Sequence, residues 1–306
     1  MFSLLSRSAT LKRFASKYGM RPGGFARRFI AGETVDEAIE AARALEAKGF
    51  HLALDYLGES VSTIANAAAA AREYIQLIEV IESAGIERNL SLKLTQLGLG
   101  IDRATCVDNL RRILEPASKH EFFVRIDMEN SPYTDATVQV FETLWHLEFR
   151  NVGLALQSSL FRTEQDVRRL NELGARVRLV KGAYKEPSDI AFQQKADVDA
   201  AYLRQMRLLL DHGNYPAIAT HDPEIIREAC AYTTERRIAN DRFEFQMLYG
   251  VRRDLQTELM TAGYRVRVYI PFGREWFPYF MRRLGERPAN LMFVMKALLR
   301  EGRETS

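Results

Sequence analysis

The chain has 306 residues, 47% hydrophobic and 27% charged, which is the composition of an ordinary globular protein. Its formal net charge of +3 is too small to indicate a nucleic-acid-binding protein, and no stretch approaches the roughly 18 consecutive apolar residues of a membrane-spanning helix. The two cysteines, Cys106 and Cys230, have no metal-ligand spacing and form no disulfide framework, so they indicate a reducing compartment such as the cytoplasm and no metal site.

The first 50 residues predict helices that precede the main domain. Residues 1–30 read as a basic, helical lead-in ending at Arg21-Pro22-Gly23-Gly24, and they lack the apolar core and cleavage site of a signal peptide. A surface helix explains their arginine and serine content better than a transit peptide does. Thr34, with Glu37 three residues later, forms the capping-box signature of a helix from Val35 to Lys48, which Gly49 ends.

Apolar runs of four to seven residues then alternate with helical patterns. We predict eight strands, and the helical patterns between and after them lie near 62–85, 103–119, 134–148, 163–173, 195–212, 223–234, 251–262, 274–286 and 289–303. The strands are His51–Leu54, Leu90–Leu94, Phe122–Met128, Val152–Leu156, Val177–Val180, Ala217–Ala219, Phe243–Leu248 and Val266–Ile270. Alternating strands and helices indicate a parallel sheet, and eight units at this length favour a closed (β/α)8 TIM barrel over an open sheet. We therefore predict one domain over 1–306, with 1–50 as an added helical lead-in.

Polar side chains stand at corresponding ends of several predicted strands, where a barrel places its functional groups. Any one of them has a simpler explanation as a rim ion pair or a helix cap. Together they must face one another or a ligand, because burying an unpaired charge costs several kcal/mol. Cations are in excess among them, so the ligands should be anionic. The set is Lys93, Asp127, Glu129, Arg178, Lys181, His221 and Tyr269.

The last strand and the helix after it carry a second group of cations. Val266, Val268 and Ile270 alternate with polar residues, and we expect Pro271 and Gly273 to stop the strand. The following helix has two adjacent arginines, Arg282 and Arg283, which point about 100° apart and can hold one anion from two sides. An exposed, solvated helix face is the alternative interpretation of this pair.

These residues leave several functions open. A cationic barrel mouth can hold a phosphorylated substrate, use Lys93 or Lys181 as a Schiff-base nucleophile in a lyase or aldolase, or bind a phosphate-bearing organic cofactor. No G-x-G-x-x-G motif follows a strand, which argues against a Rossmann-type dinucleotide site. His221 could act as a general base or as a hydrogen-bonding cap. A basic barrel that binds nucleic acid is a further, non-enzymatic alternative, against which the small net charge argues.

Seven ordered motifs make the chain resemble one family. They are LKLTQLGL (Leu92–Leu99), VRIDMEN (Val124–Asn130), LALQSSL (Leu154–Leu160), VRLVKGAY (Val177–Tyr184), ATHD (Ala219–Asp222), FEFQMLYG (Phe243–Gly250) and the stretch from Tyr269 to Arg283. From about residue 50 to the C-terminus, the chain resembles the monofunctional bacterial proline dehydrogenases and the matching domain of the bifunctional proline-utilisation flavoproteins.

The resemblance implies a fold and an activity. The fold would be a distorted (β/α)8 barrel that binds FAD non-covalently at the strands' C-terminal ends, with a late helix over the mouth. The reaction would oxidise L-proline to Δ1-pyrroline-5-carboxylate, the first step of proline catabolism, by hydride transfer from proline C5 to FAD. The electrons would then pass to a membrane quinone. We expect a cytoplasmic protein, with a peripheral contact at the inner face of the membrane left open.

The resemblance also assigns residues by position. The carboxylate of proline would be held by Lys93, Arg282 and Arg283, with Asp127 orienting Lys93. The proline ring would pack on Tyr184, Leu248 and Tyr269. The cofactor positions would be Gln157, Arg178, Lys181, Gly182, Ala183, Tyr184, Thr220 and His221, with Arg178 nearest the reactive flavin nitrogen. Glu59 would pair with Arg282 as a gate when the site is empty. One departure is Tyr249, where the bifunctional relatives usually have histidine.

Overall fold

The chain folds into a closed barrel of eight parallel strands. The computed structural model describes residue 20 and residues 24–58 and 60–286. Each strand pairs in parallel with the next one in sequence, and the eighth pairs with the first. The predicted (β/α)8 barrel is therefore confirmed. Within the described residues, no helix is both long and apolar enough to cross a lipid bilayer.

The strands and helices alternate in chain order. The strands are β1 (His51–Tyr56), β2 (Asn89–Leu92), β3 (Phe123–Ile126), β4 (Val152–Gln157), β5 (Arg176–Val180), β6 (Ala217–Ala219), β7 (Glu244–Leu248) and β8 (Val266–Phe272). The helices are α1 (Val35–Glu46), α2 (Ile64–Ala84), α3 (Arg103–Lys119), α4 (Ser131–His146), α5 (Thr163–Glu172), α6 (Lys195–His212), α7 (Pro223–Glu235), α8 (Arg253–Thr261) and α9 (Trp276–Glu286). Short 3₁₀ helices cover Phe25–Arg28 and Leu94–Leu97.

Two apolar cores position the mouth of the barrel. The larger core lies between the sheet and the surrounding helices and contains the apolar strand residues, such as Leu54 and Val268. The smaller core joins the segment before α1 to α9, where the rings of Phe25 and Phe280 lie 5.4 Å apart. Trp276, fully buried at the start of α9, donates from Nε1 to Glu33 Oε1 at 2.8 Å. The helix that carries the two arginines is therefore anchored to the chain before the first strand.

The predicted capping box of α1 is present. The Thr34 hydroxyl accepts from the backbone N–H of Glu37, and the Glu37 carboxylate accepts from the backbone N–H of Thr34. Most of the predicted lead-in (1–19 and 21–23), Glu59 and the predicted helix near 289–303 lie outside the described residues.

The main difference from the predicted elements is at β8. The expectation that Pro271 stops this strand is wrong, since β8 runs through Pro271 to Phe272. Its pairing with β7 ends at Tyr269, whereas its pairing with β1 continues to Phe272, so the proline lies where β8 has only one neighbouring strand. There a residue without an N–H is tolerated. The carbonyl of Pro271 accepts from Ala31 N at 3.0 Å, which ties the strand to the segment before α1.

Candidate active site

Four of the predicted residues meet in one cluster at the C-terminal ends of the strands. Asp127, directly after β3, is its centre. Arg178 Nη1 donates to Asp127 Oδ1 at 2.6 Å, and Tyr269 Oη donates to Asp127 Oδ2 at 2.8 Å. Lys93 Nζ lies 3.5 Å from Asp127 Oδ2. Strands from opposite sides of the barrel thus bring together residues that are up to 176 positions apart in sequence.

Lys93 is held by a second carboxylate that the sequence did not identify as part of the site. Asp55, near the end of β1, is fully buried, and its Oδ1 lies 3.3 Å from Lys93 Nζ. Burial raises the pKa of Asp55, although Lys93 opposes this. Burial also disfavours the charged form of Lys93, but Asp55 and Asp127 outweigh it and raise the pKa of the ammonium. Lys93 is therefore a fixed positive charge at neutral pH.

Helix α9 adds a further cation to this cluster. Arg282 is exposed, and its charge acts on Lys93 and on the phenol of Tyr184, which places it at the mouth of the barrel. Burial raises the pKa of Tyr184, so its hydroxyl stays neutral. Arg283 is half-buried and lies over the ring of Tyr279, with its guanidinium carbon 5.2 Å from the ring centroid. The two adjacent arginines thus have different surroundings, as their angular separation requires.

The residues assigned to a cofactor by resemblance occupy the ends of β4, β5 and β6. Gln157 Nε2 donates to the backbone carbonyl of Glu129 at 2.9 Å. Gly182 is exposed and has a φ of +116°, and a methyl group there would overlap with the Ser159 hydroxyl. That buried hydroxyl oxygen has no hydrogen-bond partner among the described residues. Ala183 is exposed beside Gly182. The backbone after β5 is therefore exposed at Gly182 and Ala183, and it packs directly on the Ser159 hydroxyl.

Lys181 is part of a separate ion-pair group. Its Nζ lies 2.5 Å from Asp199 Oδ1 and 2.6 Å from Asp222 Oδ2. Lys195 contacts the same two aspartates. Burial raises the pKa of Asp222, but hydrogen bonds from the two lysines outweigh it and lower the pKa to about 2. The ammonium of Lys181 is thus neutralised by the protein itself rather than directed at the Lys93 cluster.

His221 and Thr220 serve the backbone around the end of β6. The Nε2 atom of His221 accepts from the backbone N–H of Leu248 at 2.9 Å. The nitrogen that accepts this bond has its lone pair occupied, so the structure favours the capping role of His221 over the general-base role. The Thr220 hydroxyl accepts from Asp222 N at 3.1 Å. Leu248, half-buried at the end of β7, is positioned by the His221 contact.

Glu129 has a local role. Its carboxylate accepts from the backbone N–H of Thr95 at 3.0 Å and from the Thr95 hydroxyl at 2.6 Å. Burial raises the pKa of Glu129, and the bonds from Thr95 oppose that rise. Glu129 thus joins the loop after β2 to the loop after β3. A local structural contact of this kind is the simpler explanation that the sequence allowed beside ligand binding.

Several residues of this end of the barrel were not found from the sequence. The cationic excess counted there is reduced by Asp55, Asp199 and Asp222, which neutralise two of the predicted lysines. A usable signal exists for some of them, because a side chain two positions before an inward-facing residue also faces inward. That rule applied to Lys93 and Leu248 gives Ser91 and Gln246, both of which contact Arg178.

The chain is similar to proline dehydrogenases over almost its whole length. A family model described as proline dehydrogenase matches residues 38–296. Proline dehydrogenase 1 of Bacillus subtilis (strain 168) is 40% identical over 301 residues, which cover 98% of this chain and 99% of that protein. Proline dehydrogenase of Deinococcus radiodurans is 43% identical over 279 residues, 90% of each chain.

Longer proteins and solved structures match through one part of their length. Bifunctional protein PutA of Escherichia coli (strain K12) is 29% identical over 313 residues, 87% of this chain and 24% of that protein. The crystal structure of proline utilization A (PutA) from Bdellovibrio bacteriovorus inactivated by N-propargylglycine superposes with a TM-score of 0.79 and 26% identity. That match covers 85% of this chain and 32% of the solved one, so the chain spans about a third of the solved structure's length.

Proposed function

Because the chain belongs to the proline dehydrogenase family, we propose that it oxidises L-proline to Δ1-pyrroline-5-carboxylate with FAD as the bound cofactor. A membrane quinone is the proposed final electron acceptor, reached from the cytoplasmic side by peripheral contact. The observation that carries the proposal is the fixed positive charge of Lys93 at the barrel mouth, held by Asp55 and Asp127 and supplemented by Arg282.

Recognition of the substrate carboxylate follows from this charge. Lys93 supplies a preorganised ammonium, since its own partners already fix it. Arg282 and Arg283 add guanidinium groups from α9, and a guanidinium can bind a carboxylate through two parallel hydrogen bonds. The buried charges around Lys93 balance one another, so Arg282 and Arg283 supply the net positive charge of the mouth. That charge disfavours a further positive charge on the substrate, so it favours the amine of proline in its unprotonated, oxidisable form.

Tyr184, Leu248 and Tyr269 are the proposed walls for the five-membered ring. Burial raises the pKa of Tyr269 well above its usual range, so the phenol is neutral at all physiological pH values. Its hydroxyl donates to Asp127, which fixes the ring plane. An oriented, mostly apolar wall beside a fixed cation restricts the substrate to one pose, and orientation of this kind is a large part of catalysis.

The edge formed by β4, β5 and β6 suits FAD. The proposed cofactor residues are on or just after these strands, and Gly182 and Ala183 expose backbone that a ligand can approach closely. They are Gln157, Arg178, Gly182, Ala183, Tyr184, Thr220 and His221. When bound there, FAD supplies the acceptor for the hydride that leaves C5 of proline. Lys181 would line the cofactor edge through its position directly after β5 rather than through its charge, because two aspartates already hold its ammonium. A gating pair of Glu59 with Arg282 stays a prediction.

The Schiff-base alternative is not favoured. A lysine that attacks a carbonyl must first lose its proton, which requires a lowered pKa. Asp55 and Asp127 raise the pKa of Lys93. The Nζ atom of Lys181 is already bonded to two aspartates, so it is not directed at a substrate carbonyl. Neither amine is therefore prepared for nucleophilic attack.

Substitution of Arg282 tests the proposal. Arg282→Met should raise KM for proline roughly tenfold or more, the usual effect of losing a charge-assisted hydrogen bond, while the protein stays yellow with bound flavin. Arg274→Met is the matched control, since this exposed arginine lies just before the same helix and its charge acts on Tyr56. Equal KM values for proline in the two variants would contradict the proposed role of Arg282 in binding the substrate carboxylate. If the wild-type protein is colourless and borohydride traps a Schiff base between it and a carbonyl compound, the lyase alternative is correct instead.

A further inference from the structure

Arg178 is held by partners on or directly after three other strands, β2, β3 and β7. Its Nε donates to Gln246 Oε1 at 2.5 Å, Nη1 donates to Asp127 at 2.6 Å, and Nη2 donates to the Ser91 hydroxyl at 3.0 Å. The guanidinium also lies over the ring of Tyr269, with its central carbon 5.3 Å from the ring centroid. A guanidinium has five N–H groups. These contacts use three of the five. Because the guanidinium is planar and rigid, they also fix the directions of the other two N–H groups.

The orientation of the Gln246 amide is fixed by Glu244. Gln246 Nε2 donates to the Glu244 carboxylate, which also accepts from Arg267 Nε at 2.8 Å and Nη2 at 2.9 Å. Burial would raise the pKa of Glu244, but the pairing with Arg267 outweighs it and lowers the pKa to about 2. An ionised carboxylate only accepts hydrogen bonds. Gln246 must therefore turn its NH₂ group to Glu244 and its carbonyl oxygen to Arg178.

The base of this chain of contacts is rigid. Arg267 Nη1 donates to the backbone carbonyl of Leu52 at 2.5 Å and lies 2.6 Å from Glu87 Oε1. Arg267, Glu244 and Gln246 are all buried, on the paired strands β7 and β8. Buried polar groups with every partner in place fix one arrangement of the side chains. The Nε side of Arg178 is thus anchored to the barrel interior, below the mouth.

We propose that Gln246 is a positioning residue that sets the direction of the Arg178 guanidinium toward the cofactor. The inference rests on the proposed role of Arg178 in the FAD site and adds a residue to it. Without Gln246, Asp127 and Ser91 hold only the two Nη atoms, and the buried Nε–H lacks its acceptor. The guanidinium can then pivot about these two contacts. A displacement of about 1 Å in such a group lowers turnover by up to roughly a hundredfold.

Gln246→Met tests the proposal, because methionine matches the length of glutamine and offers neither hydrogen bond. The matched control is Gln205→Met, which makes the same change at a buried glutamine on α6. We expect Gln246→Met to weaken FAD binding, measured by fluorescence titration of the apoprotein, and to shift the visible flavin spectrum. Its kcat should fall at least tenfold while KM for proline changes less than threefold. Gln205→Met should match the wild type in all of these.

The proposal is overturned if Gln246→Met and Gln205→Met have equal FAD affinity, spectrum and kcat. Comparable melting temperatures of the two apoproteins establish that any difference is local to the site. The wild-type protein distinguishes this outcome from a failure of the proposed function. If the proposed function is wrong, the wild type will bind no FAD, and adding proline will not bleach it. In that case all the variants would be alike.

Gln246→Glu adds a rescue test with a defined sign. A protonated glutamic acid can accept from Arg178 and donate to Glu244, as glutamine does, whereas an ionised one repels Glu244. Burial and the ionised Glu244 raise the pKa of the new acid, whereas the Arg178 guanidinium in contact with it opposes that rise. Its activity relative to the wild type should rise as the pH falls and the acid takes up its proton. Activity as low as that of Gln246→Met at every pH would contradict the positioning role.

Discussion

Replacing Lys93 by methionine probes the electrostatic balance of the site. Lys93 and Arg178 oppose Asp55 and Asp127, so the cluster is neutral as a group. Lys93→Met keeps most of the side-chain volume and removes the ammonium. Asp55, which is fully buried, then loses the partner 3.3 Å away. The variant should bind proline weakly, and it should also be less stable.

The size of the loss follows from the burial of Asp55. Removing one partner of a buried ion pair typically costs about 3–5 kcal/mol, because the other charge is left uncompensated. The unfolding entropy is roughly 2.1 cal/mol/K per residue, so for 306 residues each kcal/mol corresponds to a shift in Tm of roughly 1.5 °C. We therefore expect Lys93→Met to lower the Tm by roughly 5–8 °C. Adding Asp55→Asn removes the stranded charge and should recover at least about 1 kcal/mol.

The loss should depend on pH. Burial already raises the pKa of Asp55, and without Lys93 it rises further, so the folded protein binds this proton more tightly than the unfolded chain does. The destabilisation of Lys93→Met is then smallest in acid and grows as the pH rises through the raised pKa. Urea unfolding of the wild type, both single variants and the double variant across pH measures this. If Lys93→Met is as stable as the wild type at neutral pH, or if Asp55→Asn recovers nothing, the buried-pair argument is refuted.

Three further results are expected. Glu244 has a folded pKa of about 2, so its pairing with Arg267 contributes stability above the unfolded pKa, near 4.5, and loses it as the pH falls toward 2. Glu244→Gln should therefore flatten the acid dependence of urea unfolding, and an unchanged dependence would contradict the assignment. Gly182→Ala should weaken FAD binding about tenfold by fluorescence titration, since the methyl group would collide with Ser159 at a strained φ and displace the backbone of the proposed cofactor edge. Gly174→Ala has a similar positive φ with open space around it, so it should lose stability and keep FAD affinity. Trp276→Phe removes the hydrogen bond that anchors α9 and should raise KM for proline with FAD affinity unchanged, and an unaltered KM would separate α9 from substrate binding.

The fold was predictable because local signals and global topology agree. Each buried parallel strand is a short apolar run, each is followed by a helical period, and a closed barrel is the arrangement that satisfies eight such units. The capping box at Thr34 is a purely local signal and was found correctly. Pro271 was misjudged because a proline stops a strand only where its N–H is needed. Whether Pro271 lies beside a paired or an unpaired strand edge depends on the stagger of the closed barrel, which the local sequence does not show.

The site was predictable in part, for a similar reason. Polar residues that interrupt, end or follow apolar runs identified Lys93, Asp127, Arg178 and Tyr269, which meet in the structure. Asp55 also follows such a run, but its pairing with Lys93 requires β1 and β2 to be neighbours in a known register. The partners of Lys181 lie on α6 and at the start of α7, and no spacing in the sequence relates these elements.

The most direct test is an anaerobic titration of the purified, FAD-loaded protein with L-proline, followed by visible absorption. If the cationic mouth of the barrel orients proline against bound flavin, the yellow colour will bleach as proline is added. Arg282→Met will then require a higher proline concentration for the same bleaching. A protein that takes up no FAD, or one whose flavin keeps its colour at saturating proline, would contradict the account.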